Sequence, residues 1–223
     1  MPKGQEAVVV GGLIASNVAV WGAWQYSEKE SWQLTRFMQD NFTVSRSQVF
    51  SKPHTLITAA FSHNSGYHLL GNMMTLFFFG PQCVAALGAR TFLSLYMGSG
   101  IVANACHAVS TQNPRQPALG ASGALNAVVA YSILMNPTML IVVFAEFIPI
   151  PMPAILYGGV FIGRDVAALF DTELSLPFGL GGSFMRGNVA HAAHVGGAVC
   201  GAAYFLATRG RGGGGGGGFR RLR

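Results

Sequence analysis

The chain has 223 residues, 51% of them hydrophobic and only 10% charged, with a formal net charge of +6. A soluble domain carries about 25% charged residues, so there are too few charges here to coat a wet surface, and the composition argues against a soluble helical protein. The positive excess crowds at Arg209, Arg211, Arg220, Arg221 and Arg223, behind the last apolar run. A nucleic-acid site would need basic residues along a folded face, so the tail is read as a topology signal that holds its side inside.

Six candidate spans follow in chain order, at about 7–24, 68–87, 91–109, 119–134, 154–170 and 188–207. The first is too long and ends too late for a simple signal peptide, and no Arg/Ser-rich, acid-poor leader is visible. A long first loop, about 25–65, carries aromatics and prolines that point to a folded, interface-lying element. The second span is expected to be interrupted at Gly80-Pro81. Asn136-Pro137 stops the fourth. The short apolar stretch 139–147 is read as a re-entrant piece or an extension of the fourth helix, broken by Pro149, Pro151 and Pro153. Several spans are near the lower limit for a ~30 Å apolar layer. An even count places both ends on one side, which the basic tail makes the inside, although Lys29, Arg36, Arg46 and Lys52 in the first loop oppose that rule. The expected organisation is a membrane domain over 1–207 and a flexible Gly/Arg-rich tail over 208–223.

Cys83, Cys106 and Cys200 lie in apolar surroundings, and their odd number gives no disulfide framework. They read as small buried hydrophobes. The six histidines lack a zinc-ligand spacing. Neither metal nor cofactor is expected.

Polar side chains at membrane depth are costly unless paired or facing a cavity. His68 and Asn72 in HLLGNMM are four apart and share a helix face. They suit an interhelical hydrogen bond or a pair of donors aimed at developing negative charge. Ser122 lies between Gly120 and Gly123, after a polar loop and at a helix start. Serine there caps the helix, or stands beside free backbone N–H groups that can hold an oxyanion. His194 shares a face with Gly197 and Gly201, a small-xxx-small pattern that draws a neighbouring helix close. If that neighbour carries Ser122, the imidazole can activate the hydroxyl; otherwise it packs or gates. His191 is one turn earlier. Among the carboxylates Glu146, Asp165, Asp171 and Glu173, only Asp165 reads as buried, with Arg164 beside it free to snorkel. A Ser-His dyad is therefore the simpler reading than a triad.

The ordered set FSHNSGYHLLGNMMTLFFFG (61–80), GASG (120–123) and AHVGG (193–197) resembles the rhomboid family of intramembrane serine proteases, over most of residues 7–207. The resemblance implies an all-α membrane protein, a six-transmembrane-helix bundle. It implies Ser122 as nucleophile, His194 as general base and acid, and His68, Asn72 and the Ser122 backbone as oxyanion support. Gly120 resembles the motif's turn glycine and Gly197 the close-packing one. Asn126 departs from several bacterial relatives, which carry an aromatic residue at that place stacked on the histidine; His191 is an auxiliary candidate. The implied substrates are membrane proteins, single-span ones foremost, cut in or beside a transmembrane segment. The first-loop stretch WQLTRFMQDNFTVS is similar to that of rhomboids of the mitochondrial inner membrane. Two other readings stand beside this one. One is a catalytically inactive rhomboid-like protein that binds membrane clients. The other is a small-solute channel or transporter, which would call for internal repeats that the sequence does not show.

Overall fold

The computed structural model describes residues 4–145, 148–170 and 190–209. The elements run α1 (Gln5–Glu30), α2 (Trp32–Phe42), α3 (Thr55–Thr58), a 3-10 turn (Ala59–Phe61), α4 (Gly66–Leu87), α5 (Ala89–Ser110) and α6 (Ser122–Met135). Then come β1 (Leu140–Ala145), β2 (Ile148–Pro153), α7 (Ala154–Ala168) and α8 (His191–Arg209). Helices α1, α4 and α5 are long and apolar enough to cross a membrane, and α6 is a shorter apolar helix.

α1 runs six residues beyond its expected end, to Glu30. It buries Val10, Leu13, Asn17 and Trp24 against the bundle, and Val10 packs on Gly80 of α4, where an added methyl would come within 2.9 Å of its Cγ2. α4 is continuous through Gly80-Pro81, which corrects the expected interruption. Proline removes one N–H and crowds one carbonyl. In an apolar environment no water competes for the freed groups, so helix persists around it. Gly88, at φ 81°, makes the one-residue turn from α4 into α5.

The segment 25–65 is folded. Trp24 Nε1 donates to Ser62 Oγ at 3.0 Å, and Asn104 of α5 donates to the Leu56 carbonyl at 2.8 Å. Asp40 pairs with Arg36 at 3.3 Å and Lys52 at 3.4 Å. Two of the four cations that oppose the expected orientation are thus offset by a carboxylate on the same side.

α6 is the hub, with ten buried residues in its fourteen. Cys83 and Ser132 join α4 to α6 at 3.0 Å between Sγ and Oγ. Gly197 brings α8 against the Gly123 carbonyl, and Gly201 brings it against the Ala127 carbonyl. With lipid as apolar as the side chains, such backbone approach and dispersion contacts hold helices together more than a hydrophobic drive does.

The expectation of an all-α chain is corrected at residues 140–145 and 148–153, where β1 and β2 pair antiparallel. The stretch expected as a re-entrant piece or helix extension is mostly this first strand. The β-branched run Ile141, Val142, Val143 suits a strand, and proline at every second position from Pro149 to Pro153 forbids a helix. The expected start of the sixth span near 188 and most of the basic tail lie outside the described residues.

Candidate active site

The 111–121 connection sets Ser122. Val44 and Ala118 exchange backbone hydrogen bonds at 2.9 and 2.8 Å, and Gly120 N–H donates to the Ala59 carbonyl at 2.9 Å. Gly120 sits at φ 130°, a region that side chains other than glycine rarely enter. A methyl there would lie 2.8 Å from His68 Cε1 and 3.8 Å from Ser122 Oγ. The imidazole and the hydroxyl therefore flank one small space above Gly120.

Ala121 is the N-cap of α6, and no side-chain cap bond is made there. Ser122 is the first helical residue, so the capping role weighed for it is not the one it plays. Its Oγ donates instead to His194 Nε2 at 2.8 Å. The N–H groups of this first turn have no carbonyl one turn back to bond.

His194 is fixed from its other side. Its Nδ1 donates to Asp165 Oδ2 at 2.9 Å, and His191 Nδ1 donates to Asp165 Oδ1 at 2.7 Å. Asp165 is a buried residue of α7. A carboxylate accepts only, so it holds the His194 proton on Nδ1 and turns the Nε2 lone pair toward Ser122. Asp165 thus extends the expected Ser122–His194 pair into a hydrogen-bonded chain of three side chains. The residue was visible in the sequence, but it is 29 positions from His194 on another helix, and no spacing rule links them. Glu146, Asp171 and Glu173, the other carboxylates weighed, lie outside the described residues. His191 turns to Asp165. Asn126 stands one turn beyond Ser122, partly buried.

The α4 pair divides. His68 Nδ1 bonds Asn64 Oδ1 at 3.0 Å, leaving its Cε1–Nε2 edge toward Gly120. Asn72, one turn on and buried, donates from Nδ2 to His63 Nε2 at 2.9 Å. The His63 and His68 rings meet edge to face at 4.9 Å. Sequence reasoning missed His63 and Asn64, because both precede the helix; Asn64 keeps the four-residue spacing to His68, and His63 falls outside it. Burial, with His68 close by, pushes the His63 imidazole down to about 3. His63 and Asn64 also line a polar cavity of about 680 Å³ under the first loop, shared with Trp24, Arg36, Gln48 and Arg115.

Fold and site together define a helical membrane protein with a serine hydroxyl bonded to a carboxylate-oriented histidine beside a glycine-shaped space. Residues 51–211 match the Rhomboid domain family, and the chain belongs to the rhomboid family of intramembrane proteases. It is 31% identical to RHOMBOID-like protein 12, mitochondrial, of Arabidopsis thaliana, over 90% of this chain and 58% of that protein. It is 34% identical to Rhomboid protein 1, mitochondrial, of Saccharomyces cerevisiae, over 88% of this chain and 52% of that protein. It is 32% identical to the human Presenilin-associated rhomboid-like protein, mitochondrial, over 92% and 48%. The chain spans about half the length of these relatives. It is a multi-pass integral membrane protein.

Proposed function

We propose that this chain is an intramembrane serine endopeptidase that hydrolyses peptide bonds in or beside transmembrane segments of membrane proteins, single-span ones foremost. The observation that carries this reading is the Ser122 Oγ–His194 Nε2 hydrogen bond of 2.8 Å, with Asp165 on the far nitrogen. Ser122 Oγ attacks the scissile carbonyl carbon while its proton passes to His194 Nε2. The new oxyanion is held by first-turn N–H groups of α6, by the second N–H of Asn72 and by His68 when its Nε2, the nitrogen facing Gly120, carries a proton. The C–N bond then breaks, His194 gives its proton to the leaving amine, and an acyl ester remains on Ser122. Water, deprotonated by His194, attacks the ester and frees Ser122. Asp165 keeps the imidazole in the required tautomer and steadies its charged form. An unwound substrate exposes amides that lipid cannot satisfy, so the cut takes place in the protein-lined polar space.

In this reading the chain crosses the bilayer six times, with α6, α7 and α8 as the last three spans. Both ends lie on the side of the basic tail, and Ser122 opens toward the first-loop side. The mitochondrial names of the three relatives point to the inner mitochondrial membrane.

The test is cleavage of a single-span substrate by protein reconstituted in liposomes, with Ser122→Ala and His194→Ala beside the wild type. Loss of cleavage in both variants, with fluorophosphonate labelling of the wild type at Ser122, is expected. Equal cleavage by all three forms overturns the assignment.

A further inference from the structure

Among the described residues, the hairpin between α6 and α7 has one strand edge closed by proline and one open. Ala154 N–H donates to the Met139 carbonyl at 2.8 Å, which continues the ladder whose rungs include Leu140–Pro153 and Ala145–Ile148. In an antiparallel pair, bonded rungs alternate with unbonded ones. The bonded rung at Met139 and Ala154 sets the phase, so Ile141–Met152, Val143–Ile150 and Ala145–Ile148 are bonded. Leu140–Pro153, Val142–Pro151 and Phe144–Pro149 are not, and their backbone groups point away from the hairpin. All three prolines of β2 occupy these outward positions. The outer edge of β2 therefore offers no N–H at any of them. The outer edge of β1 keeps the N–H and C=O of Leu140, Val142 and Phe144, and the N–H groups of Leu140 and Val142 have no backbone hydrogen bond to another described residue.

The surroundings do not suit a bare edge. Leu140 is 71% exposed and Val142 56% exposed, while Ile141 packs on the core and Met152 is buried. The hairpin continues directly into α7, whose Ile155 and Leu156 are also exposed. Apolar faces of this kind belong in the bilayer, where an open backbone edge is costly. An added strand satisfies it.

We infer that β1 is a dimerisation edge and that its occupant is the β1 strand of a second copy of this chain. Antiparallel pairing about a two-fold axis at Val142 sets that residue opposite itself and Leu140 opposite Phe144. Each copy then donates its three outward N–H groups and accepts three in return. The four-stranded sheet that results has β2 at both margins. Both margins are blocked by proline, so assembly closes at two copies. An unrelated strand would fit the open edge, but only self-pairing uses the asymmetry of the two edges to stop growth. β1 follows the C-terminal end of α6, about 20 Å along the helix from Ser122, so the contact leaves the catalytic groups untouched.

The experiment uses the full chain in phosphatidylcholine liposomes, with Cys83, Cys106 and Cys200 changed to alanine. Val142→Cys is expected to give a covalent dimer with a short bis-maleimide, and Leu156→Cys, 53% exposed on α7, is expected to give little. Energy transfer between donor- and acceptor-labelled copies, diluted with lipid, gives the affinity. Val142→Pro removes only an outward N–H and is expected to weaken association at least tenfold, while Val142→Thr keeps the wild-type value. If Val142→Pro fails to fold, the cross-linking pair decides alone. Equal cross-linking at the two cysteine positions, or monomers at every dilution, overturns the proposal. So does a nitroxide at position 142 that is as accessible to dissolved oxygen as one at Leu156, which would assign the edge to lipid.

Discussion

Asp165 is bonded to both histidines of the first turn of α8, to His194 at 2.9 Å and to His191 at 2.7 Å. One carboxylate thus uses its two oxygens to orient two rings, of which only His194 reaches Ser122. The two bonds should differ in worth. Asp165→Asn keeps the shape but presents an amide that can donate, so His194 is free to carry its proton on the wrong nitrogen. We expect kcat to fall by about 10²-fold or more with KM little changed, by analogy with the loss on removing such an orienting carboxylate elsewhere. His191→Ala should cost much less, on the order of a few-fold, because His194 keeps its acceptor. Steady-state cleavage in liposomes separates the two, and similar losses in both variants would argue against the asymmetry.

The approach of α8 to α6 rests on glycines whose hydrogens face backbone carbonyls. At Gly197 an added methyl would run into the Gly123 carbonyl, and at Gly201 into that of Ala127. Neither obstacle is a flexible side chain. Gly197→Ala should therefore destabilise the fold by about 1–3 kcal/mol, the usual cost of overpacking, and move His194 away from Ser122. Gly159 of α7 has nothing within 4 Å of its would-be methyl, so Gly159→Ala should be neutral or slightly stabilising. Thermal unfolding in detergent checks both; a Gly197→Ala protein as stable as wild type would contradict the packing.

Much of this was legible in the sequence because the signals were local. Low charge and long apolar runs announced membrane helices. His68 with Asn72, and Gly197 with Gly201, were readable from helical spacing alone. What sequence left out depends on contacts between distant elements. Asp165 meets His194 only because α7 and α8 pack side by side. Nothing in the pattern of α4 says that Asn72 turns to His63, which lies in the approach to the helix. The hairpin was hidden by its apolar character. A buried helix and a buried strand look alike over a short run, and the alternating prolines were read as helix breakers when they also mark the outward rungs of a strand.

Gly120 joins backbone strain to site geometry. At φ 130° any side chain is strained by about 1–3 kcal/mol, and a methyl would press on His68 Cε1 at 2.8 Å. Gly120→Ala should displace the His68 edge from the space beside Ser122. Because the Ser122–His194 bond does not pass through Gly120, labelling by a small fluorophosphonate should fall less than peptide cleavage does. Equal losses in the two assays would place the damage at the nucleophile and not at the oxyanion side.

His63 gives the fold a defined acid sensitivity. Its imidazole is buried and pushed down to about 3 from an ordinary 6.5, so it stays neutral in the folded protein. In the unfolded chain it takes a proton near 6.5. Between these values the unfolded state binds more protons, and stability rises with pH. The contribution is whole above 6.5 and is lost as pH falls from there toward 3. Asn72 donates to His63 Nε2, a bond that needs the neutral ring. His63→Gln can accept from Asn72 without titrating in this range. The melting temperature of the wild type should therefore drop more steeply between pH 6.5 and pH 4 than that of His63→Gln, with the two curves parallel above pH 7. Parallel curves throughout would mean that His63 is protonated at little cost in the folded state, and the buried neutral ring assigned to it would be wrong.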